Sequence, residues 1–413
     1  MSRERPRKAI APSAARVVVI GSGAWGTTVA TLLAAREQVV LLSRRPDKAA
    51  RLQAERRNDE NLPGVEFPPA LTVTADPAAL ENADLVIFAV PSAHLREAAT
   101  SAGPHLGPAA DVVSLVKGLE AGTLLRPSEV IADAANLPAS RIAALSGPNL
   151  AAEIGRGLPA SAVVAASDAA LAWRVQQRLA TRTFRIYVNS DIVGVELCGA
   201  LKNIVAIAAG AAEGLGFGDN GKASLITRGL AEMIRLGLAA GANPLTFSGL
   251  AGIGDLVATC ASGLSRNHRL GLELARGGRW QEIEPTLGGV AEGAYTVDAA
   301  LALADRLGVE MPIAREVHLA LYAGKSVRRC LIDLLSRESK DELADLPAWA
   351  SGDSARPMDP SPVRSAATLQ PADLPQRAPR QQSADVPRSA AAPPPPHRSE
   401  PATFTPGEPS SAS

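Results

Sequence analysis

The sequence predicts an α/β fold followed by an all-α region and a disordered tail, and three observations lead to this prediction. Between residues 16 and 183, short β-branched runs alternate with helical stretches, which is typical of a sheet whose strands are joined by helices. From about residue 193 to 335, alanine, leucine, glycine and charged residues recur at helical spacing. Fifteen of the 32 prolines lie after residue 346, where large apolar residues are too few to offset the entropy of ordering.

The first part of the chain contains seven predicted strands, all of them nearly continuous apolar runs. Such runs are expected for parallel strands that helices cover on both faces, so we predict a doubly wound parallel sheet. The predicted strands span residues 17–20, 39–43, 85–90, 112–116, 142–145, 162–165 and 184–188.

The first predicted strand runs directly into the glycine-rich loop Gly21-Ser22-Gly23-Ala24-Trp25-Gly26, which opens a helical stretch. In a Rossmann-type fold, the first glycine of such a loop permits a tight turn and the second lets the backbone approach a pyrophosphate. The third glycine lets the helix pack closely on the strand. The helix N-terminus also attracts phosphate. We therefore predict a Rossmann-type cofactor site at Gly21, Gly23 and Gly26 rather than a plain glycine turn.

The second predicted strand ends in Ser43-Arg44-Arg45, where an NAD-specific site usually places an acidic residue. Two guanidinium groups at this position would hold a 2′-phosphate through charge-assisted hydrogen bonds. The alternative is a solvated basic loop. We predict that NADP(H) is preferred through Arg44 and Arg45 and that NAD(H) can also be used.

Lys202 lies in an apolar helical stretch of the second part of the chain. Lysine is rarely buried without a partner, and desolvation lowers its pKa toward the range of an acid/base catalyst. Lys117 follows a predicted strand end, where ligands of open α/β sheets bind, and would add like-charge repulsion. Asp255 would orient the ammonium group, although a structural salt bridge with Lys202 is an alternative.

These patterns divide the chain into four predicted parts. We expect a flexible basic arm at residues 1–15 and a Rossmann-type NAD(P)-binding domain at 16–192. An all-helical substrate and catalytic domain follows at 193–340. The last part, 341–413, is predicted to be a disordered tail rich in proline, alanine and serine, whose four consecutive prolines favour a solvated linker over a polyproline ligand.

Several short motifs occur in an order that resembles the bacterial NAD(P)-dependent glycerol-3-phosphate dehydrogenase family, from about residue 16 to 340. The resemblance implies a cytoplasmic, usually dimeric enzyme that interconverts dihydroxyacetone phosphate and sn-glycerol 3-phosphate for phospholipid synthesis. Besides the glycine loop, the motifs that carry it are Val90-Pro91-Ser92, Lys117-Gly118, Ser146-Gly147-Pro148, Leu201-Lys202-Asn203, Gly218-Asp219-Asn220, Leu225-Ile226-Thr227-Arg228-Gly229, Gly252-Ile253-Gly254-Asp255-Leu256 and Ser265-Arg266-Asn267.

The resemblance also assigns site residues. It makes Lys202 the acid/base group, with Lys117 and Asp255 beside it. Cofactor contacts are implied, in addition to the three loop glycines and two arginines, for Ala24, Trp25, Lys117, Ala151, Arg266, Val290 and Glu292. Substrate contacts are implied for Lys117, Gly147, Asn149, Lys202, Asp255, Ser265, Arg266 and Asn267. The alternative to a cofactor contact is a packing role for Trp25. The alternative to a substrate contact is a helix cap for Ser265-Arg266-Asn267.

Other features argue against several classes of function. The net charge is zero, so nothing indicates nucleic acid or an anionic membrane as partner. The three cysteines are widely spaced and indicate reduced, semi-buried thiols, and no group has metal-ligand spacing. We also expect no apolar stretch long enough to span a membrane, and a surface position for His268.

Two other functions stay open on the sequence. One is a related two-domain hydroxyacid dehydrogenase that acts on another small anionic substrate. The other is a nucleotide-sensing protein whose tail recruits a partner. The motifs around Asp255 and Arg266 count against the first, and the presence of both Lys202 and Asp255 counts against the second.

Overall fold

The computed structural model describes residues 16–338, so the predicted arm at 1–15 and the predicted tail at 341–413 lie outside the described part. Its first half contains ten strands, which are β1 (Arg16–Ile20), β2 (Gln38–Leu42), β3 (Arg57–Asn58), β4 (Leu62–Glu66), β5 (Leu71–Thr74), β6 (Leu85–Phe88), β7 (Asp111–Ser114), β8 (Ile142–Ser146), β9 (Ala160–Ala166) and β10 (Phe184–Asn189).

Eight of these strands form one sheet in the order β10-β9-β8-β7-β6-β1-β2-β5. The chain begins at β1 in the centre and moves first to one side and then to the other, which is the doubly wound pattern predicted. The neighbours β1 and β6 are parallel, and their carboxyl ends flank the crevice where such sheets bind ligands. The predicted α/β fold class is therefore confirmed.

The expectation of an all-parallel sheet is wrong at one edge. β9 pairs with β8 in the antiparallel direction, and β10 follows β9 in parallel. Residues 147–159 connect β8 to β9 and contain only the five-residue helix over residues 151–155, which is shorter than the helices that follow the parallel strands β1, β2, β6 and β7. Residues 162–166 of β9 and residue 184 of β10 are nevertheless buried, so their sequences are as apolar as those of the parallel strands.

Three strands between residues 57 and 74 were not predicted. β5 has only four residues, Leu-Thr-Val-Thr, and lies at the edge of the sheet beside β2, where one face stays open to solvent. β3 and β4 form a separate antiparallel hairpin, and β4 contains both proline and glycine. Short, alternating or proline-containing segments give a weak strand pattern because they need not be apolar.

Six helices cover the two faces of the sheet, and each face has its own buried core. α1 begins at Ala24 directly after the glycine loop, because Gly23 ends the preceding turn in an extended conformation. The helices of this half are α1 (Ala24–Ala34), α2 (Pro46–Glu55), α3 (Leu95–Ala102), α4 (Pro127–Ala134), α5 (Ala151–Gly155) and α6 (Ala169–Leu179).

The second half is helical throughout its described residues. Its helices are α7 (Ile192–Gly214), α8 (Gly218–Ala239), α9 (Pro244–Phe247), α10 (Asp255–Ala261), α11 (Arg266–Ala275), α12 (Trp280–Ile283), α13 (Glu292–Leu307), α14 (Pro312–Tyr322) and α15 (Val327–Leu335). α7 lies at the centre and packs against α8, α10, α11, α13 and α14. The largest core cluster of the chain forms around it.

The expectation that no apolar stretch is long enough to span a membrane is wrong for α7. This helix has 23 residues and a mean hydropathy of 1.8, and residues 244–261 also meet the same criteria of length and composition. In α7, however, 89% of the apolar window is buried inside the protein. Its composition is that of a core helix, because neighbouring helices cover it on all sides.

A buried carboxylate joins the two halves. Glu196 of α7 is 3% exposed and accepts hydrogen bonds at 2.7 Å from the backbone N–H and the hydroxyl of Ser128, in the first turn of α4. Arg126 donates to the same carboxylate at 2.6 Å. Since α4 follows the segment that carries Lys117, this contact helps to fix Lys117 relative to α7.

Candidate active site

The three residues predicted to act together meet where the two halves join. Lys202 of α7 donates a hydrogen bond at 2.6 Å to Oδ1 of Asp255, the first residue of α10. Lys117, which follows β7, donates at 2.7 Å to Oδ2 of the same carboxylate. Lys202 and Asp255 are buried, whereas the side chain of Lys117 is 16% exposed. One carboxylate thus holds two ammonium groups, of which only Lys117 reaches solvent.

The backbone of residues 250–254 explains the Gly-Ile-Gly-Asp motif. Residues 250–254 form a single π-helical turn, inside which Gly252 has φ −85° and ψ −107°. A Cβ on Gly252 would lie 2.0 Å from the carbonyl oxygen of Phe247, so no side chain fits there. This tight turn places Asp255 at the N-terminus of α10, where the helix dipole favours a carboxylate.

Burial is the main electrostatic influence on Lys202. It lowers the pKa of the Lys202 ammonium to about 8, even though Asp255 acts in the opposite direction. Lys117 lowers the pKa further by like-charge repulsion, but its effect is smaller than that of Asp255. Lys117 therefore acts in the predicted direction, and desolvation is the largest influence that lowers the pKa of Lys202.

Asp255 stays ionised despite its burial. Desolvation alone would raise the pKa of this carboxyl group, but Lys117 and Lys202 together hold it below its ordinary value. The two ammonium groups reach it through direct hydrogen bonds, which are strong between charged partners. An ionised carboxylate at this position anchors both lysines.

Thr259 is a member of this cluster that was not predicted. Its hydroxyl accepts a hydrogen bond from Lys202 at 2.6 Å and donates one at 2.6 Å to the carbonyl oxygen of Asp255. Thr259 is 5% exposed. The spacing from Asp255 to Thr259 puts both on one face of α10, so the four-residue interval was the signal available in the sequence.

The loop after β8 forms a wall beside the two lysines. The carbonyl oxygen of Gly147 accepts a hydrogen bond from Lys117 at 3.0 Å. Gly147 has φ +140°, and a Cβ there would lie 2.8 Å from Ala162. The amide nitrogen and oxygen of the Asn149 side chain are buried and have no hydrogen-bond partner among the described residues. Buried polar atoms in proteins usually have a partner, so these two atoms are candidates to bind a ligand.

The glycine loop fits a dinucleotide. Gly21 has φ +116°, and a Cβ there would lie 2.5 Å from the carbonyl oxygen of Ala89. A Cβ on Gly26 would lie 1.9 Å from the carbonyl oxygen of Gly21, so α1 packs directly on the turn. Gly23 faces open space at the N-terminus of α1, where a pyrophosphate would approach backbone N–H groups.

A cavity of about 510 Å³ extends from this loop along the carboxyl ends of β1, β2 and β6. Arg44 and Arg45 line its outer end, together with Lys48. The side chain of Arg44 is 64% exposed and forms a weak ion pair with Glu97 at 3.5 Å. The side chain of Arg45 is 60% exposed and forms one with Asp47 at 3.7 Å. Exposed pairs of this kind contribute little, so both guanidinium groups are available to an anion.

Three predicted cofactor residues lie around α1 and α5. The ring of Trp25 packs edge-on against Phe184 with 6.1 Å between centroids, which favours the packing interpretation, although its Nε1 is buried without a partner among the described residues. Ala24 is the first residue of α1, and Ala151 is the first residue of α5. The hydroxyl of Thr28 donates to the carbonyl oxygens of both alanines and thereby ties the two helix starts together.

Arg266, Val290 and Glu292 approach the cofactor side from the helical half. Glu292 accepts hydrogen bonds from the backbone N–H and the hydroxyl of Ser92, in the loop after β6. Burial raises the pKa of Glu292 and lowers that of Arg266. Arg266 lies against Gly289, where a Cβ would come within 2.7 Å of its guanidinium carbon, and Val290 is half-buried in the same loop.

The other two residues of the Ser-Arg-Asn motif are engaged within the protein. The hydroxyl of Ser265 caps α11 by accepting from the backbone N–H of His268 at 3.2 Å. The Asn267 amide donates to Asn203 and accepts from the backbone N–H of Gly293, both at 2.9 Å. The helix-cap interpretation is therefore right for Ser265. For Asn267 the structure indicates a residue that orders the site.

Two smaller expectations need correction. His268 is not a surface residue, because it is 2% exposed and its Nε2 lies 3.2 Å from Glu213 of α7. The start of α11 turns its side chain toward α7, which sequence spacing alone did not reveal. The three cysteines are fully buried rather than semi-buried. Within residues 16–338, no group of three or more His, Cys, Asp or Glu is placed to hold a metal ion.

Two family models match the chain, one on each side of the joint between the halves. The N-terminal model of NAD-dependent glycerol-3-phosphate dehydrogenase matches residues 16–172, and its C-terminal model matches residues 191–332. A glycerol-3-phosphate dehydrogenase [NAD(P)+] of Streptomyces griseus is 49% identical over 329 residues, which is 79% of this chain and 98% of that relative. One from Nocardia farcinica is 49% identical over 335 residues and is covered to 99%.

Solved structures agree with these matches. The crystal structure of glycerol-3-phosphate dehydrogenase from Coxiella burnetii has a TM-score of 0.75 and 38% identity, covering 78% of this chain and 99% of that one. A D-mandelate dehydrogenase, at 12% identity and a TM-score of 0.53, shares the fold alone. The likeness thus runs through both halves and nearly the full length of the relatives. This chain belongs to the NAD-dependent glycerol-3-phosphate dehydrogenase family.

Proposed function

We propose that this chain is an NAD(P)-dependent oxidoreductase that interconverts dihydroxyacetone phosphate and sn-glycerol 3-phosphate, in support of phospholipid synthesis. The observation that carries the proposal is the buried Lys202–Asp255–Lys117 cluster, found in the same chain as the glycine loop that opens α1. Relatives that match both halves bear the name glycerol-3-phosphate dehydrogenase [NAD(P)+], which supports the same substrate.

Lys202 supplies the proton in the proposed mechanism. A reduced nicotinamide, when bound, provides the hydride that reduces the ketone carbon. The ketone oxygen then gains negative charge, and the Lys202 ammonium donates a proton to it; in oxidation, the neutral amine removes that proton. A pKa of about 8 suits both directions, because an ordinary lysine is almost fully protonated near neutral pH.

The neighbours of Lys202 position it and stabilise charge. Lys117 donates a hydrogen bond to the same carboxylate and polarises the substrate oxygen. Asp255 holds both ammonium groups from one side, so they point from a shared anchor toward the substrate. Thr259 accepts a hydrogen bond from Lys202 at 2.6 Å and fixes its orientation. Gly147 and Asn149 line the substrate on the side of β8.

Arg266 is the proposed main contact of the substrate phosphate. Its guanidinium group offers paired donors of the geometry that phosphate accepts, and its charged neighbours are Arg269 and Glu292. Ser265 and Asn267 support it mainly through the geometry of α11, since their side chains already have partners. The same loop, with Val290 and Glu292, completes the cofactor side.

Three finer points are proposed as well. NADP(H) is favoured over NAD(H), because Arg44 and Arg45 face the outer end of the cavity and no acidic residue takes the position of the ribose contact. The chain acts as a homodimer in the cytoplasm, which the family resemblance supports. Its neutral net charge supports the absence of a nucleic acid partner.

Steady-state kinetics of the purified full chain test this function. We expect NADPH oxidation with dihydroxyacetone phosphate, a slower reaction with NADH, and far weaker turnover with a panel of 2-keto acids. Turnover with a keto acid at a rate above that with dihydroxyacetone phosphate would instead favour the related hydroxyacid dehydrogenase. Size-exclusion chromatography with light scattering tests the dimer.

A further inference from the structure

A second concave surface lies in the helical half, away from the cofactor cavity. It is a groove of about 800 Å³ between α8, the N-terminus of α14 and α15. Its walls carry apolar side chains, among them Leu225 of α8 and Leu334 and Leu335 of α15. Leu335 is 54% exposed, which is unusual for a leucine at the mouth of a groove. Exposed apolar side chains gathered in a groove mark a candidate binding surface.

The α8 wall of the groove is basic. Arg228 and Arg235 are seven residues apart and therefore lie on one face of α8, about 10 Å apart along its axis. Arg228 is exposed and forms no ion pair with the part of the chain that the structure describes. The carboxylates in the groove have partners: Glu232 accepts from the backbone N–H of Ile313 at 2.7 Å, and Glu310 lies 3.1 Å from Arg337.

The described chain ends inside this groove, because Arg337 and Glu338 belong to its lining. The residues that follow match its walls in chemistry. Residues 341–349 read Asp-Glu-Leu-Ala-Asp-Leu-Pro-Ala-Trp, with three carboxylates and no basic side chain, and Leu343, Leu346 and Trp349 recur every third residue. Seven residues from Glu338 reach up to about 24 Å, so the segment can extend along the groove whose lining includes both Glu338 and Arg228.

We propose that residues 341–349 of this chain bind in the groove between α8 and α15, with their carboxylates toward Arg228 and Arg235 and their apolar side chains against Leu225, Leu334 and Leu335. The segment lies beyond both family matches, which end at residue 332. The groove thus accepts an acidic, apolar peptide that belongs to the chain itself. Because the ligand is covalently attached, even a weak intrinsic affinity suffices at the high local concentration.

Disulfide trapping in the full chain tests this proposal. The variant pair Ser224→Cys and Ala344→Cys, which keeps both arginines and all three carboxylates, should form an intramolecular disulfide under mild oxidation. The matched control adds Asp341→Lys and Glu342→Lys, which keeps both cysteines and the length of chain between them but reverses the charge. Cys198, Cys260 and Cys330 do not interfere, because all three thiols are buried and burial raises their pKa values.

We expect the disulfide to form at least about fivefold faster in the parent pair than in the charge-reversed control, as the difference in docked population predicts. The added lysines would themselves favour the reactive thiolate, so a slower reaction in the control counts as loss of docking. Equal rates in the two proteins would overturn the proposal. A disulfide-linked dimer as the main product would assign the groove to a second copy and would overturn it too.

Discussion

The pKa of Lys202 depends on the residues that surround it. It lies in the middle of the most buried helix of the protein, and desolvation lowers its pKa to about 8. The sequence predicted this residue, because a lysine inside an apolar helix is conspicuous. It did not reveal Thr259, whose role depends on a contact across two helices, or the burial of His268, which depends on how α11 faces α7.

Replacing Lys202 with alanine should remove most of the activity. We expect kcat for dihydroxyacetone phosphate reduction to fall by roughly 10²- to 10⁴-fold, the usual contribution of a positioned proton donor. Binding of NADPH, measured by fluorescence titration, should change little, because the glycine loop lies on the other half. The matched control is Lys325→Ala, which removes another ion-paired lysine, remote from the cluster, and should leave kcat unchanged. Near-normal turnover of Lys202→Ala would refute the proton-donor role.

The lowered pKa of Lys202 predicts opposite pH profiles for the two directions. Oxidation of glycerol 3-phosphate needs the neutral amine, so its kcat should rise with pH and level off above about 8. Reduction of the ketone needs the ammonium form, so its kcat should fall as the pH rises through about 8. Initial rates in both directions between pH 6 and 10, in about 0.1 M salt, measure this. An inflection near pH 10 would show that burial does not lower the pKa of Lys202.

Arg44 and Arg45 give a prediction about the choice of cofactor. The double variant Arg44→Ala, Arg45→Ala should raise KM for NADPH by roughly tenfold or more, since charge-assisted hydrogen bonds to the 2′-phosphate are lost. KM for NADH should change by less than about twofold. Arg51→Ala, on α2 but outside the lining of the cavity, serves as the control. An equal loss for both cofactors contradicts 2′-phosphate recognition.

At the scale of elements, the long apolar runs were predictable and the short polar ones were not. The strands near residues 17–20, 85–88 and 112–114 are buried on both faces, so their sequences had to be apolar. β5 and the hairpin β3–β4 lie at or beyond an edge, where sequence is less constrained. The reversal of β9 and β10 was not predicted, because an apolar strand pattern does not report the direction of a strand.

The contact between α4 and α7 should be important for stability. Glu196→Ala removes a buried carboxylate that receives three hydrogen bonds, and we expect it to lower the free energy of unfolding by about 3 kcal/mol. The matched control is Glu129→Ala, which pairs with the same Arg126 but is 43% exposed and should cost less than about 1 kcal/mol. Urea unfolding followed by circular dichroism provides both values, and equal losses would contradict a special role for Glu196.

At the scale of the whole molecule, the two halves of the described chain share one compact unit and a buried joint. The Lys117–Asp255, Glu196–Ser128 and Glu292–Ser92 contacts each connect the sheet half to the helical half. The chemistry needs this joint, because the proposed proton donor and the cofactor loop come from different halves. The catalytic geometry and the stability of the fold therefore depend on the same contacts.

This joint predicts cooperative unfolding. Far-UV circular dichroism, which reports mainly the helices, and tryptophan fluorescence, to which Trp25, Trp173, Trp280 and Trp349 contribute, should give coincident urea transitions. Saturating NADPH should shift both curves together, because a ligand of the native state stabilises everything that unfolds with its site. Two transitions separated by about 1 M urea would show that the halves unfold independently.

The burial of α7 has a consequence for how the chain is made. Its apolar surface is complete once residue 214 has been synthesised, but the helices that cover it, α11 and α13, end only at residues 275 and 307. At ordinary rates of translation this helix is exposed for roughly 5 to 20 seconds before its partners exist. A ribosome-associated chaperone, or the machinery that sorts nascent proteins to membranes, would meet it during that interval.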